Sequence, residues 1–234
     1  MGRIFFGILA FSISASAWGF FDCVKGSLDP IVKAKSLAGV KRVYVEASID
    51  LVIRKGDKER LVLNGPKDLL DNLVVEQKGE RLLIGSEKCA DNQDSVKMVA
   101  YLKDLSEVGI EGSSDIVIKD MFSSEHMTLT IAGSGDISGH FEAEQLTAAI
   151  RGSGDIKLKG KSQKLQVDIL GSGDVSFEEF AASRVAVTIK GAGDVKVHAS
   201  EFLDVKIYGS GDVGYKGRPK VAIAKYGSGS IRPL

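Results

Sequence analysis

The sequence has no excess of either charge, since 31 lysines and arginines balance 31 aspartates and glutamates. A general nucleic-acid-binding protein normally carries a basic excess, so this balance argues against that class. Proline is also scarce, with four residues against 27 glycines. Abundant glycine without proline indicates repeated turns and not a disordered linker.

Long hydrophobic runs are absent after residue 17, so we expect no transmembrane segment in the mature chain. Residues 1–17 combine a positive charge at Arg3, an uncharged apolar stretch and a small-residue Ala-Ser-Ala sequence at its end. This order is typical of a signal peptide, although a buried N-terminal strand or helix is the alternative. We therefore predict an exported protein that is periplasmic, on the outer surface or secreted. A leader segment, 18–35, would then precede one domain, 36–234.

Cysteine is rare, and the two residues present after the predicted cleavage point are Cys23 and Cys89. In an oxidising compartment an even number of cysteines favours a disulfide. Two unpaired thiols are the alternative, because the sequence does not show whether the two positions meet.

Apolar residues alternate with polar ones from Val43 to Ile53, the period of a half-buried strand. Residues 67–72 fit one helical turn. A short apolar run, 73–75, and the segment Arg81–Ile84 flank a Lys78-Gly79 turn and predict a hairpin.

A repeat of Gly-Ser-Gly-Asp followed by Ile or Val dominates the second half of the chain. It occurs, with degenerate copies at both ends, from 112 to 231, and its first glycines are 21, 19, 19, 20, 18 and 18 residues apart. Apolar residues alternate on both sides of each copy. Units that cannot bury an apolar face alone do so by stacking, so this period predicts an all-β solenoid with rungs of about 20 residues.

Each Gly-x-Gly-Asp sequence is expected to form a corner between two strands. Glycine permits a positive φ, and Asp can accept a hydrogen bond from a backbone N–H about two residues on. The predicted structural corner residues are Gly133, Gly135, Asp136, Gly152, Gly154, Asp155, Gly171, Gly173, Asp174, Gly191, Gly193, Asp194, Gly209, Gly211 and Asp212.

These repeats, together with the upstream block from Val43 to Ile84, resemble the bacterial putative autotransporter adhesin, head GIN domain family. The resemblance covers about residues 36–234. It implies a right-handed parallel β-helix and an exported, adhesin-like protein, and it brings no catalytic residues.

In-register stacking would place neighbouring Asp carboxylates of the repeat ~5 Å apart, where each pair repels by about 1 kcal/mol in water. Calcium ions between the rungs would offset this repulsion, since Ca²⁺ prefers oxygen ligands. Hydrogen bonds from corner N–H groups, with screening by solvent, are the alternative. We expect the second arrangement and therefore predict no metal and no cofactor.

Catalysis is not expected, because an active site needs unlike groups in different environments and a repeated Asp gives every rung the same one. His126, His140 and His198 are isolated in the sequence. The lysines at 157, 159, 161 and 164 could meet an anionic partner, or simply form a solvated face. Tyr208, Tyr215 and Tyr226 could stack on a sugar or cover the end of the solenoid.

The sequence thus predicts a non-catalytic envelope or surface binding module, whose binding residues it does not identify. Its partner would be a glycan or another envelope component. A carbohydrate-active enzyme on the same scaffold, and a structural protein that self-associates end to end, are the alternatives.

Overall fold

The computed structural model describes residues 23–27, 29–91 and 95–234. The predicted signal peptide, 1–17, lies outside the described residues. No helix in the part of the chain that the structure describes is long and apolar enough to cross a membrane.

Among its described residues, the first half of the chain forms eight short strands and one helical turn. They are β1 (Pro30–Ser36), β2 (Arg42–Glu46), β3 (Leu51–Lys55), β4 (Arg60–Pro66), α1 (Lys67–Asp71), β5 (Leu73–Lys78), β6 (Arg81–Ser86), β7 (Lys97–Leu102) and β8 (Glu107–Gly112). The predicted helical turn is confirmed by α1. The predicted hairpin is confirmed by the antiparallel pairing of β5 with β6. Strand β1 begins at Pro30, within the segment that the sequence assigns to a leader, and pairs with β4.

The second half forms long, bent strands that each span most of one rung. They are β9 (Ile116–Gly133), β10 (Ile137–Gly152), β11 (Ile156–Gly171), β12 (Val175–Gly191) and β13 (Val195–Gly209). The last rungs are completed by β14 (Val213–Lys216), β15 (Lys220–Lys225) and β16 (Ile231–Pro233). Strands β9 to β13 pair in parallel with the next rung.

Two ladders of short strands lead into β9. One runs β1-β4-β7-β3-β9 and the other β5-β6-β2-β8-β9. The pairings of β1 with β4, of β4 with β7 and of β5 with β6 are antiparallel. The parallel stack predicted for the repeats therefore gives way to antiparallel strands at its N-terminal end.

Repeated positions stack in register, which explains why the inward residues are nearly identical from rung to rung. A buried column after the corners contains Ile137, Ile156, Val175, Val195 and Val213. β-branched side chains suit this site because they pack well on a pleated surface. The predicted all-β solenoid is confirmed, with 70% strand, 3% helix and about seven turns of about 19 residues.

Candidate functional site

The aspartates of the repeat form a hydrogen-bonded ladder between rungs. The backbone N–H of Asp155 donates to Oδ1 of Asp136 at 2.8 Å, and the N–H of Asp174 donates to Oδ1 of Asp155 at 2.8 Å. The same bond joins Asp115 to Asp136, Asp174 to Asp194, Asp194 to Asp212, and Asp212 to Ser230, at 2.7–2.9 Å. Each carboxylate thus accepts a hydrogen bond from a backbone N–H of the next rung.

We expected each Asp side chain to accept a hydrogen bond from a backbone N–H about two residues later, within its own corner. The structure corrects this expectation. The donor lies in the next rung, 18 to 21 residues later in the chain. A hydrogen bond to a charged acceptor is stronger than one between neutral groups. The column therefore ties neighbouring corners together in spite of its repeated negative charge.

The ladder also includes a residue that the repeat did not reveal. Asp50 accepts the N–H of Asp115 at 2.9 Å through Oδ1, which extends the column by one rung toward the N-terminus. Asp50 lies outside any Gly-x-Gly sequence. Its one sequence clue is the following apolar residue, Leu51, which matches the Asp-aliphatic pair of the repeats.

Both glycine columns stack too closely on the neighbouring rung to carry a Cβ, and the first column also has a positive φ. Gly152 has a φ of 142°, a conformation that side chains strain. Gly154 has no such φ, but a Cβ there would lie 2.0 Å from the backbone oxygen of Gly135 in the neighbouring rung. The positive φ expected at the corner therefore belongs to the first glycine, and close stacking explains the second.

A groove of about 470 Å³ runs along the aspartate ladder across five rungs. We call it the Asp groove. Its lining consists of Asp115, Ile116, Val117, Asp136, Ile137, Ser138, Asp155, Ile156, Lys157, Asp174, Val175, Ser176, Asp194 and Lys196. The aspartates form one side, and the outward positions two residues later form the other.

The outward side of the Asp groove alternates between hydroxyl and ammonium groups. Ser138, Lys157, Ser176 and Lys196 stack in register on successive rungs. Within the described residues, neither lysine has a carboxylate within 4.0 Å. At the end of the ladder, the backbone N–H and hydroxyl of Ser230 lower the pKa of Asp212, with Arg232 and Lys225 acting in the same direction.

The Asp groove offers repeated hydrogen-bond acceptors and donors. Each rung that lines it repeats a carboxylate whose Oδ1 accepts a backbone N–H from the next rung, while the opposite side alternates between serine and lysine. Across residues 23–27, 29–91 and 95–234, no group of three or more His, Cys, Asp or Glu side chains is placed to hold a metal ion.

Most of the other predicted positions lie outside the Asp groove. Lys159 pairs with Glu179 at 2.8 Å and Lys161 with Glu142 at 3.4 Å, so part of the lysine cluster is neutralised by neighbouring rungs. The three histidines, His126, His140 and His198, are exposed or half-buried on three different rungs.

The three tyrosines considered as stacking or covering residues, Tyr208, Tyr215 and Tyr226, lie at the C-terminal end. The rings of Tyr208 and Tyr226 stack with centroids 5.1 Å apart and planes 8° from parallel. Tyr215 is partly buried against the core. This placement is the one expected of residues that cover the end of the solenoid.

The two cysteines meet at the opposite, N-terminal end. Cys23 and Cys89 form a disulfide with their Cα atoms 4.8 Å apart. Val24 and Ala90 form a bridge beside it, with the Val24 N–H donating to the Cys89 oxygen at 2.9 Å. The disulfide fixes the start of the described chain to the N-terminal strands.

Comparison with known proteins gives one family and several similar folds. The profile of the family described as "Putative auto-transporter adhesin, head GIN domain" matches residues 40–219. No curated protein sequence matches the chain.

Three solved structures illustrate the likeness of fold. A protein from Bacteroides fragilis described as a "putative adhesin" is 22% identical, with a TM-score of 0.84 over 90% of this chain and 100% of its own. A "putative lipid binding protein" from Parabacteroides distasonis is 23% identical, with a TM-score of 0.77 over 90% and 99%. A "putative adhesin" from Parabacteroides merdae is 18% identical, with a TM-score of 0.73 over 91% and 99%. These similarities show a shared solenoid.

Proposed function

The chain belongs to the "Putative auto-transporter adhesin, head GIN domain" family, and from this premise we propose that it is an exported, non-catalytic surface-binding module. In this proposal the Asp groove holds one extended polymer chain, which lies along the solenoid axis and crosses the rungs. A cell-surface glycan is the ligand class that suits it best.

The observation that carries the proposal is the repetition of the groove. It crosses five rungs from Asp115 to Asp194, which at ~4.8 Å per rung amounts to roughly 20 Å. Every rung presents a carboxylate at the same place. A polymer with regularly spaced groups can contact the carboxylates of several rungs at once, whereas a single small molecule would contact only one or two of them.

The chemistry of the groove suits a polyhydroxylated chain. The aspartates are exposed or half-buried, and each has a second carboxylate oxygen besides the Oδ1 that the backbone uses. A carboxylate accepts hydrogen bonds from hydroxyl groups, while serine hydroxyls and lysine ammonium groups donate them. The groove therefore provides both partners that sugar hydroxyls require, at a constant spacing.

Uniform rungs also favour binding over catalysis. Glycoside hydrolysis needs two carboxyl groups with different roles, one of which is held protonated by its surroundings. The ladder gives each of its aspartates the same backbone contact, an N–H on Oδ1, so that contact assigns no carboxyl group a distinct role. An exported location agrees with the signal peptide expected at 1–17, and its cleavage in the native host can be checked by N-terminal sequencing of the fractionated protein.

A glycan array, followed by titration with oligomers of increasing length, tests the proposal. We expect affinity to rise with oligomer length until the chain matches the groove, and we expect the ligand to be recovered unchanged. Ser176→Trp should block the groove. Thr188→Trp is the matched control, because Thr188 is a half-buried residue of the same strand that does not line the groove. Cleaved product, or equal binding by both variants, would refute the proposal.

A further inference from the structure

The C-terminal end of the solenoid has a composition unlike the rest of the molecule. Residues 213–234 contain five basic side chains and no aspartate or glutamate, although the whole chain is neutral. The five are Lys216, Arg218, Lys220, Lys225 and Arg232. In the described structure, one of them, Lys216, has a carboxylate within 4.0 Å, that of Glu178 at 3.7 Å. Lys225 and Arg232 lie close enough to Asp212 to lower the pKa of its carboxyl group, but one carboxylate does not balance both, so a net positive charge is left at this end to meet an anionic partner.

The same end exposes apolar groups that the fold would otherwise bury. Ile223 stacks on Val205 in a core column, yet Ile223 is 57% exposed while Val205 is fully buried. Leu234 and Tyr226 are 51% and 66% exposed. Strands β15 and β16 each pair with one neighbour, β13 and β14, so they form the edge of the stack.

A second copy of the chain that docks through the same C-terminal end is a poor occupant for this end. Two C-terminal ends brought together would place ten basic side chains against one another. Strand β15 begins and ends with Lys220 and Lys225, and Lys225 stacks on the core residue Ile207. Lysines on an edge strand oppose its pairing with another strand. End-to-end growth by contact between two such ends is thereby disfavoured.

An anionic lipid surface satisfies both properties of the end. Basic side chains are attracted to anionic head groups, and exposed aliphatic and tyrosine side chains enter the boundary between head groups and acyl chains. We propose that the C-terminal end, formed by β15, β16 and residues 213–234, docks on an anionic membrane surface. The solenoid would then stand on the membrane, with the Asp groove on its side left accessible.

Co-sedimentation with vesicles tests this docking. The full chain should bind vesicles of equimolar phosphatidylglycerol and phosphatidylcholine, should bind pure phosphatidylcholine at least tenfold more weakly, and should lose affinity as salt is raised. K220Q/K225Q/R232Q should bind the anionic vesicles at least tenfold more weakly. The control K97Q/K103Q/K119Q removes the same charge from exposed positions near the N-terminal half and should bind as the parent does.

Removing exposed apolar side chains distinguishes binding to a membrane from binding to a soluble acidic polymer, because only the membrane offers an apolar phase. I223S/Y226S should weaken vesicle binding several-fold and leave the weak binding of polyglutamate unchanged. Circular dichroism of each variant verifies that the fold is retained. Polyglutamate binding as tight as vesicle binding, or unchanged vesicle affinity in K220Q/K225Q/R232Q with a retained fold, would overturn the proposal.

Discussion

The backbone N–H of Asp174 donates a 2.8 Å hydrogen bond to Oδ1 of Asp155, a residue 19 positions earlier and one rung away. The contact explains why a like-charged column is tolerated. The ~1 kcal/mol repulsion of adjacent carboxylates in water is comparable with the net gain from a hydrogen bond, and bonds to charged groups gain more. The column also forms one side of the Asp groove, so the same residues hold the corners and shape the candidate site.

Substitution of Asp155 distinguishes the structural role of the ladder from a metal site. Asp155→Asn keeps an acceptor for the Asp174 N–H and removes one like charge, so we expect a melting temperature close to that of the parent. Asp155→Ala should destabilise by about 1 kcal/mol. Melting curves with calcium and with a chelator should coincide for the parent. A calcium-dependent rise that Asp155→Asn abolishes would replace our account with a calcium ladder.

Gly154 provides a test of rung stacking. Gly154→Val would place a Cβ 2.0 Å from the oxygen of Gly135, so the backbone of two rungs must separate. We expect a loss of about 3 kcal/mol or more, measured by chemical denaturation. The neighbouring Ser153→Ala is the control, because Ser153 is exposed and such changes usually fall within about 0.5 kcal/mol. Similar stability of the two variants would contradict the close stacking seen here.

Tyr44 provides a test at alkaline pH. Burial raises the pKa of Tyr44 to about 12, and the hydrogen bond that its hydroxyl donates to Glu107 acts in the same direction. Because the unfolded chain has a tyrosine pKa of about 10, this group's contribution to stability is fully present below pH 10 and is lost as pH rises toward 12. An absorbance titration of the parent should show a phenolate that forms near pH 12. The same titration of Tyr44→Phe should lack this phenolate. Simultaneous ionisation of all tyrosines would disprove it.

The disulfide is expected to stabilise the N-terminal end. It joins residues 66 positions apart, and the chain-entropy relation for such a loop gives up to about 4 kcal/mol. The double variant Cys23→Ser/Cys89→Ser should unfold at lower denaturant concentration than the parent. Reductant should lower the parent to the same midpoint and leave the variant unchanged. No effect of reductant on the parent would indicate that the bond does not contribute.

Local patterns in the sequence were enough to predict the repeated rungs. The alternation around Ile150 and Ile156 and the corner at Gly152 recur at a nearly constant period, and a unit of this kind must stack to bury its apolar face. The hairpin at Gly79 and the helical turn at Lys67 were predictable for the same reason, because their determinants are neighbours in the chain.

Contacts between distant residues were decided only by the tertiary structure. The donor to each Asp carboxylate lies in the next rung, the need for glycine at 154 comes from the oxygen of Gly135, and Asp50 joins the ladder without a repeat around it. The antiparallel strands at the N-terminal end likewise follow from pairings such as that of β1 with β4. The period of a sequence specifies which face of a strand is buried, whereas hydrogen-bond partners and close approaches depend on which backbones the fold brings together.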